Sequence, residues 1–145
     1  DFRDLFIAFN GHDVRYLVVG GYAFSFHARP RNTKDLDIWV DATMENAPRV
    51  WSALQAFHAP LADLTMADFE RPGIVFQMGQ PPNRIDLLTQ IEAVSFDDAW
   101  ARRVTGHYGD QVVPFLSRQH VLENKRALGR KQDEADVEYL EGPGA

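Results

Sequence analysis

The segment 34–40, KDLDIWV, is the feature that most constrains the fold. Apolar residues at every second position, from Leu36 to Val40, alternate with other residues, and this period of two predicts a β-strand with one buried face. Asp35 and Asp37 lie on the opposite face, roughly 6–7 Å apart along the strand. Their carboxylates can converge on one point between them, a geometry that suits a cation.

A doubled glycine precedes this strand. The apolar run YLVV predicts a buried strand over residues 16–19, which stops in a tight turn at Gly20-Gly21. A short helix follows over residues 22–28 and ends before Pro30, because the residue ahead of a proline disfavours helical geometry. The glycines let the backbone approach a ligand, and the start of the helix presents free N–H groups to an anion. This order of elements predicts a phosphate site beside the aspartates.

A third carboxylate, Asp86, lies in the apolar context RIDLL, where Ile85 and Leu87 bracket it. It is expected on the exposed face of another strand, and three carboxylates face one site if the two strands are neighbours. Three ionised carboxylates repel one another unless one takes up a proton or a divalent cation binds. Mg²⁺ prefers oxygen ligands and is usually held by one or two carboxylates plus substrate phosphates. The five histidines show no ligand spacing, which favours Mg²⁺ or Mn²⁺ over zinc.

The rest of the chain alternates between helical and strand patterns. Two strands are predicted within residues 71–79 and 83–90, joined as a hairpin by QPPN. An edge strand is predicted over residues 112–117, because Pro114 cannot donate to a ladder. The apolar spacing and the serine caps predict four further helices, over residues 2–11, 43–58, 95–104 and 118–141, the last broken at Gly129.

These elements predict an α/β (α+β) class, with a small mixed β-sheet flanked by helices. The 145 residues and 45% hydrophobic content are expected to form one domain over residues 1–145, with a helical C-terminal part from about residue 117. No apolar run approaches the ~20 residues of a membrane span, and no signal pattern is present. The absence of cysteine excludes thiolate metal sites and fits a reducing compartment. We therefore expect a cytoplasmic protein without a membrane partner.

The charge pattern narrows the classes of function. A formal net charge of −6 argues against a nucleic-acid binder that works through an overall positive field. Two basic clusters nevertheless occur, over residues 29–34 and 118–131. The ordinary interpretation of such clusters is a solvated face. The cations of the first cluster are also expected to flank the phosphate site.

The residues that carry the most specific pattern are Gly20-Gly21, Arg31, Thr33, the segment DLDI at 35–38 and the segment RIDL at 84–87. Through them the sequence resembles the nucleotidyltransferase superfamily, whose fold is shared with DNA polymerase beta. The region from the glycines to DLDI, together with the C-terminal NKRALGRKQDEAD, is most similar to small prokaryotic AbiEii-like nucleotidyltransferases. Many of these are parts of toxin-antitoxin systems. The similarity extends over most of the chain.

The resemblance implies an activity and a set of roles. A nucleoside monophosphate would pass from a nucleoside triphosphate, with ATP as the first candidate, to an acceptor hydroxyl on tRNA or protein. Asp35 and Asp37 would bind two Mg²⁺ ions, and Asp86 would be the third metal ligand or help to activate the acceptor. Gly20-Gly21 would bind the triphosphate. The superfamily more often has Gly-Ser at this place, so the contact from a serine hydroxyl to phosphate would be missing.

The C-terminal cations resemble the family's basic helix that reaches toward phosphate. Lys125 is a predicted nucleotide contact, and the pattern leaves open which of Lys125, Arg130 and Lys131 contacts phosphate. Asp133 and Asp136 follow them. A solvated helix face is the alternative interpretation of these cations.

Two other functions remain open on the sequence. Lincosamide and aminoglycoside nucleotidyltransferases have a similar GG and DLDI arrangement, so the acceptor could be a small molecule. An acidic acceptor pocket would favour an aminoglycoside, and a basic one would favour tRNA. A catalytically silent fold that binds a partner is the third possibility, and retention of all three aspartates in apolar strand contexts speaks against it. The oligomeric state and any cognate partner protein are left open.

Overall fold

Six strands form one mixed sheet in the computed structural model, which describes residues 1–33 and 35–142. The strands are β1 (Tyr16–Val19), β2 (Leu36–Val40), β3 (Val75–Met78), β4 (Ile85–Leu88), β5 (Val104–Tyr108) and β6 (Gln111–Phe115). Their order is β3-β4-β2-β1-β6-β5. β2 lies between β1, to which it is antiparallel, and β4, to which it is parallel. The predicted mixed sheet is confirmed.

Helices flank this sheet. They are α1 (Phe2–Gly11), α2 (Gly20–His27), α3 (Ala47–Ala56), α4 (Phe96–Ala101), α5 (Arg118–Leu128) and α6 (Lys131–Glu141), with a 3₁₀ turn over Met66–Glu70. β1 is buried at all four positions, which requires cover on both faces of the sheet. α2 packs against β1, β2 and α5, whereas α1 packs against α3 and β6. In the described chain, every helix falls short of the length and apolarity needed to cross a membrane.

Local sequence signals explain most helix boundaries. The Ser95 hydroxyl accepts from the N–H of Asp98 at 3.3 Å and begins α4. Ser117 begins α5 in the same way, accepting from the N–H of His120 at 3.2 Å. Such caps satisfy N–H groups that the first turn leaves unpaired. Gly129 ends α5 with a left-handed φ of 64°, so the predicted break between the last two helices is confirmed.

The helix predicted from residue 43 begins four residues later than expected. The Asn46 side chain accepts from the N–H of Arg15 at 2.8 Å and donates to the carbonyl oxygen of Asp41 at 3.0 Å. These bonds hold residues 43–46 in a turn against the end of β2. α3 therefore starts at Ala47, with Pro48 in its first turn, where proline is tolerated.

The prediction of an edge strand over residues 112–117 is wrong. β6 lies inside the sheet, between β1 and β5, and β5 forms the edge. The ladder between β6 and β1 consists of the single pair Val18 and Phe115, and Leu116 N–H donates to the carbonyl oxygen of Val18 at 3.0 Å. Because this ladder starts beyond Pro114, it does not require the N–H that proline lacks.

Candidate active site

The parallel pairing of β2 with β4 sets the geometry of the site. Asp37 pairs with Asp86 across this ladder, and the N–H of Leu36 donates to the carbonyl oxygen of Arg84 at 3.0 Å. Because side chains alternate along a strand, Asp35 and Arg84, one residue before each strand, share the side of the paired aspartates. We call Asp35, Asp37, Arg84 and Asp86 the acid face. The three carboxylates predicted from the sequence are thus brought together.

The opposite side of the same two strands fixes this arrangement. The side chains on that side are apolar and almost fully buried, and they include Leu36, Ile38, Ile85 and Leu87. A slip of one residue in the register would turn these side chains toward solvent and the aspartates into the core. The hydrophobic core therefore holds the acids in place.

Asp37 is the carboxylate that most lacks a compensating charge. Burial raises the pKa of Asp37 to about 7, and the negative charges of Asp86 and Asp35 act in the same direction. A hydrogen bond shared with Asp86 further favours the protonated form, while Arg84 lowers the pKa only in part. Near neutral pH, Asp37 is therefore poised between carboxylic acid and carboxylate, and a bound cation would favour the carboxylate.

Arg84 is the cation of the acid face. Its Nη2 lies 3.5 Å from Oδ2 of Asp35, and its Nε lies 3.6 Å from Oδ1 of Asp86. Both distances exceed those of ordinary N–H···O hydrogen bonds. Within the described residues, Nε of Arg84 and Oδ1 of Asp86 are buried without a hydrogen-bond partner. The guanidinium is therefore attracted to Asp35 and Asp86 by charge, without a short directional bond to either acid.

The donor set of the acid face fits a hard divalent cation. Carboxylate oxygens are the ligands that Mg²⁺ and Mn²⁺ prefer, and the buried Oδ1 of Asp86 is an oxygen that a metal ion would satisfy. Among residues 1–33 and 35–142, no three acidic or histidine side chains already stand at metal-ligand spacing. The acids would have to draw closer around an ion.

Gly20 is required by the neighbouring aspartate. Its φ is +65°, and a Cβ placed there would lie 2.2 Å from Oδ2 of Asp37. In the structure the carboxylate of Asp37 lies over Gly20, and the approach of a ligand to this glycine stays a prediction. The first turn of α2 also has no side-chain cap, so its N–H groups can donate hydrogen bonds to an anion.

Gly21 is crowded by the loop before β2. A Cβ at this position would lie 2.8 Å from Cγ2 and 3.3 Å from Oγ1 of Thr33. A serine here, as in the more common Gly-Ser pattern, would displace the threonine or the helix. Thr33 is thus a physical reason for the Gly-Gly variant of the sequence.

A cavity of about 420 Å³ opens beside the acid face. Gly20, Asp37, Lys125 and Arg130 are among the residues that line it. Most of the remaining wall is apolar, formed by Val19, Ile74, Val75, Leu88, Ile91, Leu116, Val121 and Leu128, with Gln90, Glu92 and Asn124 among them. The walls are neither strongly acidic nor strongly basic.

A comparison with solved structures finds this architecture in a known enzyme. The lincomycin-bound crystal structure of the lincosamide antibiotic adenylyltransferase LnuA matches with a TM-score of 0.58 at 17% sequence identity. The match covers 92% of this chain and 90% of that chain. The chain has a nucleotidyltransferase fold. No protein-family model and no curated protein sequence matches the chain, and the closer similarity to AbiEii-like enzymes stays a prediction.

Within this nucleotidyltransferase fold, Lys125 belongs to a group of ion pairs around two buried carboxylates. Its Nζ lies 2.8 Å from Oδ2 of Asp136 and 3.4 Å from Oδ1 of Asp133. Arg31 pairs with Asp136, and Arg130 pairs with Asp133. We call these five residues, Arg31, Lys125, Arg130, Asp133 and Asp136, the ion-pair cluster. Contact between Lys125 and phosphate stays a prediction, since its ammonium already has two carboxylate partners.

The other predicted cations divide between structure and site. Arg29 lies over the ring of Tyr139 at 4.3 Å, and Arg31 lies over Phe24 at 4.1 Å. Both therefore attach the loop before β2 to helices. Lys34 lies outside the described residues. Arg130 differs, because its side chain is 68% exposed and also lines the cavity.

Several cavity residues had no signal in the sequence. Gly73 and Ile74 precede β3, which begins at Val75, and Leu88 ends β4, with Gln90, Ile91 and Glu92 after it. Apolar residues in these places are typical of any strand end, so only the register of β4 could have placed them beside the acids. Arg84 did have a signal, since it lies two residues before Asp86 and shares its face.

Proposed function

We propose that this protein is a divalent-metal-dependent nucleotidyltransferase. It moves a nucleoside monophosphate from a nucleoside triphosphate, with ATP as the first candidate, to a hydroxyl group of a small-molecule acceptor. The observation that supports this most is the gathering of three carboxylates beside an uncapped helix start, on a nucleotidyltransferase fold. Mg²⁺ is the expected ion and Mn²⁺ the alternative.

The residues of the acid face have separate roles in this reaction. Asp35 and Asp37 would hold the divalent ions, and Asp86 would be the third ligand or accept the proton of the acceptor hydroxyl. When bound, the ions lower the pKa of the acceptor and neutralise the leaving oxygens. The acceptor oxygen forms a bond to the α-phosphorus while the bond from that phosphorus to pyrophosphate breaks.

The glycines and the cavity position the two substrates. The free N–H groups at Gly20-Gly21 would bind triphosphate oxygens, because the start of a helix attracts anions. Arg130 borders the cavity, and its side chain can add a positive charge near the phosphates. Its hydrogen bond with Asp133 raises the pKa of Arg130, and the charge of Asp37 adds to this. The guanidinium is therefore charged throughout the physiological range.

The cavity favours a small acceptor over tRNA or protein. Its volume of about 420 Å³ suits a drug-sized molecule. The basic stripe that an RNA acceptor needs is not provided by the described cations near the site, since Arg31, Lys125 and Arg130 are paired with carboxylates. LnuA, which shares the fold, is named as a lincosamide adenylyltransferase, and a lincosamide-like acceptor is the first to test.

The test offers nucleoside triphosphates labelled at the α-phosphate, with Mg²⁺, to the protein and a set of acceptors. The set contains lincosamides, aminoglycosides, total RNA and a cell extract. We expect label on a small molecule with the wild-type protein and none with Asp37→Asn, which keeps the side-chain size and removes the charge. Label on RNA or protein alone would overturn the small-molecule acceptor. Folded protein that binds nucleotide and labels nothing would favour the silent binding fold.

A further inference from the structure

The acid face consists of four residues, and three of them are acids. Asp37 and Asp86 pair across the ladder between β2 and β4. Asp35 lies two residues before Asp37, and Arg84 lies two residues before Asp86. The backbone bond between Leu36 and Arg84 places the arginine beside Asp35. The side chain of Arg84 is 35% exposed. It can therefore leave the face without disrupting the core.

The contacts of Arg84 are those of a counter-ion. Its nitrogens lie 3.5 Å from Asp35 and 3.6 Å from Asp86, and its Nε has no hydrogen-bond partner among the described residues. A structural arginine normally makes short, paired hydrogen bonds to a carboxylate, as Arg3 does with Asp110 at 2.8 Å twice. The charge of Arg84 thus offsets repulsion between the acids without committing their oxygens.

We infer that Arg84 is a built-in counter-ion that competes with a divalent cation for Asp35 and Asp86, and that the cation displaces its guanidinium. The inference rests on the proposed function, because it takes these acids as cation ligands. A guanidinium and a divalent ion repel each other at this separation, so both cannot occupy the acids together. Arg84 stabilises the metal-free face and weakens the binding of the first ion.

The test measures Mn²⁺ binding without nucleotide, by the electron paramagnetic resonance signal of free Mn²⁺. We expect Arg84→Gln to bind Mn²⁺ about five- to tenfold more tightly than wild type, because one positive charge beside the ion is removed. Arg84→Lys keeps the charge and should stay close to wild type. Arg49→Gln is the matched control, since it removes a positive charge on α3 that pairs with Glu45 and lies outside the acid face.

A second variant and a melting measurement distinguish a change in Mn²⁺ affinity from a folding defect. Arg84→Met keeps the aliphatic stem and should show the same tightening. Without metal, both neutral variants should melt below wild type at pH 8, and Mn²⁺ should raise their melting temperatures more than that of wild type. Equal or weaker Mn²⁺ affinity in both neutral variants would overturn the role of Arg84 and leave the proposed function standing. Folded wild type and variants that all fail to bind Mn²⁺ would overturn the metal site and this inference together.

Discussion

The acid face and the ion-pair cluster contain the same kind of residue in opposite electrostatic states. Burial raises the pKa of Asp37 to about 7. Burial acts in the same sense on Asp136, but hydrogen bonds from Arg31, Lys125 and Gln132 hold its pKa below the ordinary value. The cluster supplies its own cations, whereas the acid face has one loosely held arginine for three acids. A deficit of positive charge therefore marks the place where a cationic ligand is expected.

The two regions are also mechanically connected. Arg31 belongs to the loop before β2, Lys125 to α5, and Asp136 to α6. The cluster thus fastens that loop to the C-terminal helices. Thr33, two residues after Arg31, is the residue that crowds Gly21. The compensated cluster holds the loop that borders the uncompensated site.

The largest expected effect comes from a substitution in the ion-pair cluster, where the carboxylates have cation partners. Asp136→Asn leaves Lys125 and Arg31 buried beside an amide, and we expect a loss of about 3–5 kcal/mol in the free energy of unfolding. Urea denaturation measures it. Asp110→Asn is the matched control, because Asp110 forms an exposed pair with Arg3, and its substitution should cost far less than that of Asp136. Equal losses in the two variants would show that the cluster is not a stabilising unit.

A second prediction tests how closely the acid face is packed. Gly20→Ala combines a left-handed φ with a Cβ 2.2 Å from Oδ2 of Asp37. We expect a loss of about 2–3 kcal/mol. Gly109→Ala has a φ of +58° and no atom within 4 Å of its Cβ, so it should show only the backbone cost of about 1 kcal/mol. The difference between the two thermal unfolding measurements is the cost of displacing Asp37, and no difference would contradict the crowding.

The third prediction concerns pH and has opposite signs in the two regions. The folded pKa of Asp37, about 7, lies above its ordinary value of 3.8. Its contribution to stability is therefore complete below pH 3.8 and is lost as the pH rises to about 7. Asp136 has a lowered pKa, so its contribution is present above the ordinary value and is lost only in acid.

Melting in the presence of a chelator between pH 5 and pH 8 isolates Asp37. Wild type should lose about 1–3 kcal/mol more than Asp37→Asn over this interval. Asp136→Asn should be destabilised at both pH values alike. If wild type and Asp37→Asn show the same pH dependence of stability, the pKa of Asp37 is not raised.

The smallest expected effect distinguishes the roles of Arg130 and Lys125, two cations that both border the cavity. Arg130→Gln should change the free energy of unfolding by less than about 1 kcal/mol, because the side chain is 68% exposed and Asp133 keeps Lys125. It should weaken the binding of a fluorescent ATP analogue by about three- to tenfold. Lys125→Met should instead reduce stability, because it removes the buried cation that Asp133 and Asp136 share. Unchanged affinity in Arg130→Gln would assign the phosphate contact elsewhere.

The features that the sequence predicted are those that strand alternation and helix capping determine. The acids at 35, 37 and 86 were placed on one face because residues at alternate positions share a side of a strand. Asp35 itself precedes β2 and was expected inside the strand. Ser95, Ser117 and Gly129 marked helix ends because their chemistry is local. These features depend on a few neighbouring residues.

Features that depend on distant contacts were missed. β5 carries Gly106, a residue depleted in strands, and a Cβ there would lie 2.7 Å from both Phe115 and Phe26. Those two rings stack at 4.3 Å, so the glycine admits an aromatic pair that no local pattern reveals. The partners of Lys125 likewise depend on the turn at Gly129, which returns α6 toward α5.

The contact between Gly20 and Asp37 also bears on how this protein can evolve. Because the carboxylate occupies the space over the glycine, most substitutions at position 20 are tolerated only after position 37 has become smaller. A lineage that first loses Asp37 could then acquire alanine or asparagine at position 20. The residues at positions 20 and 37 should therefore covary among related sequences.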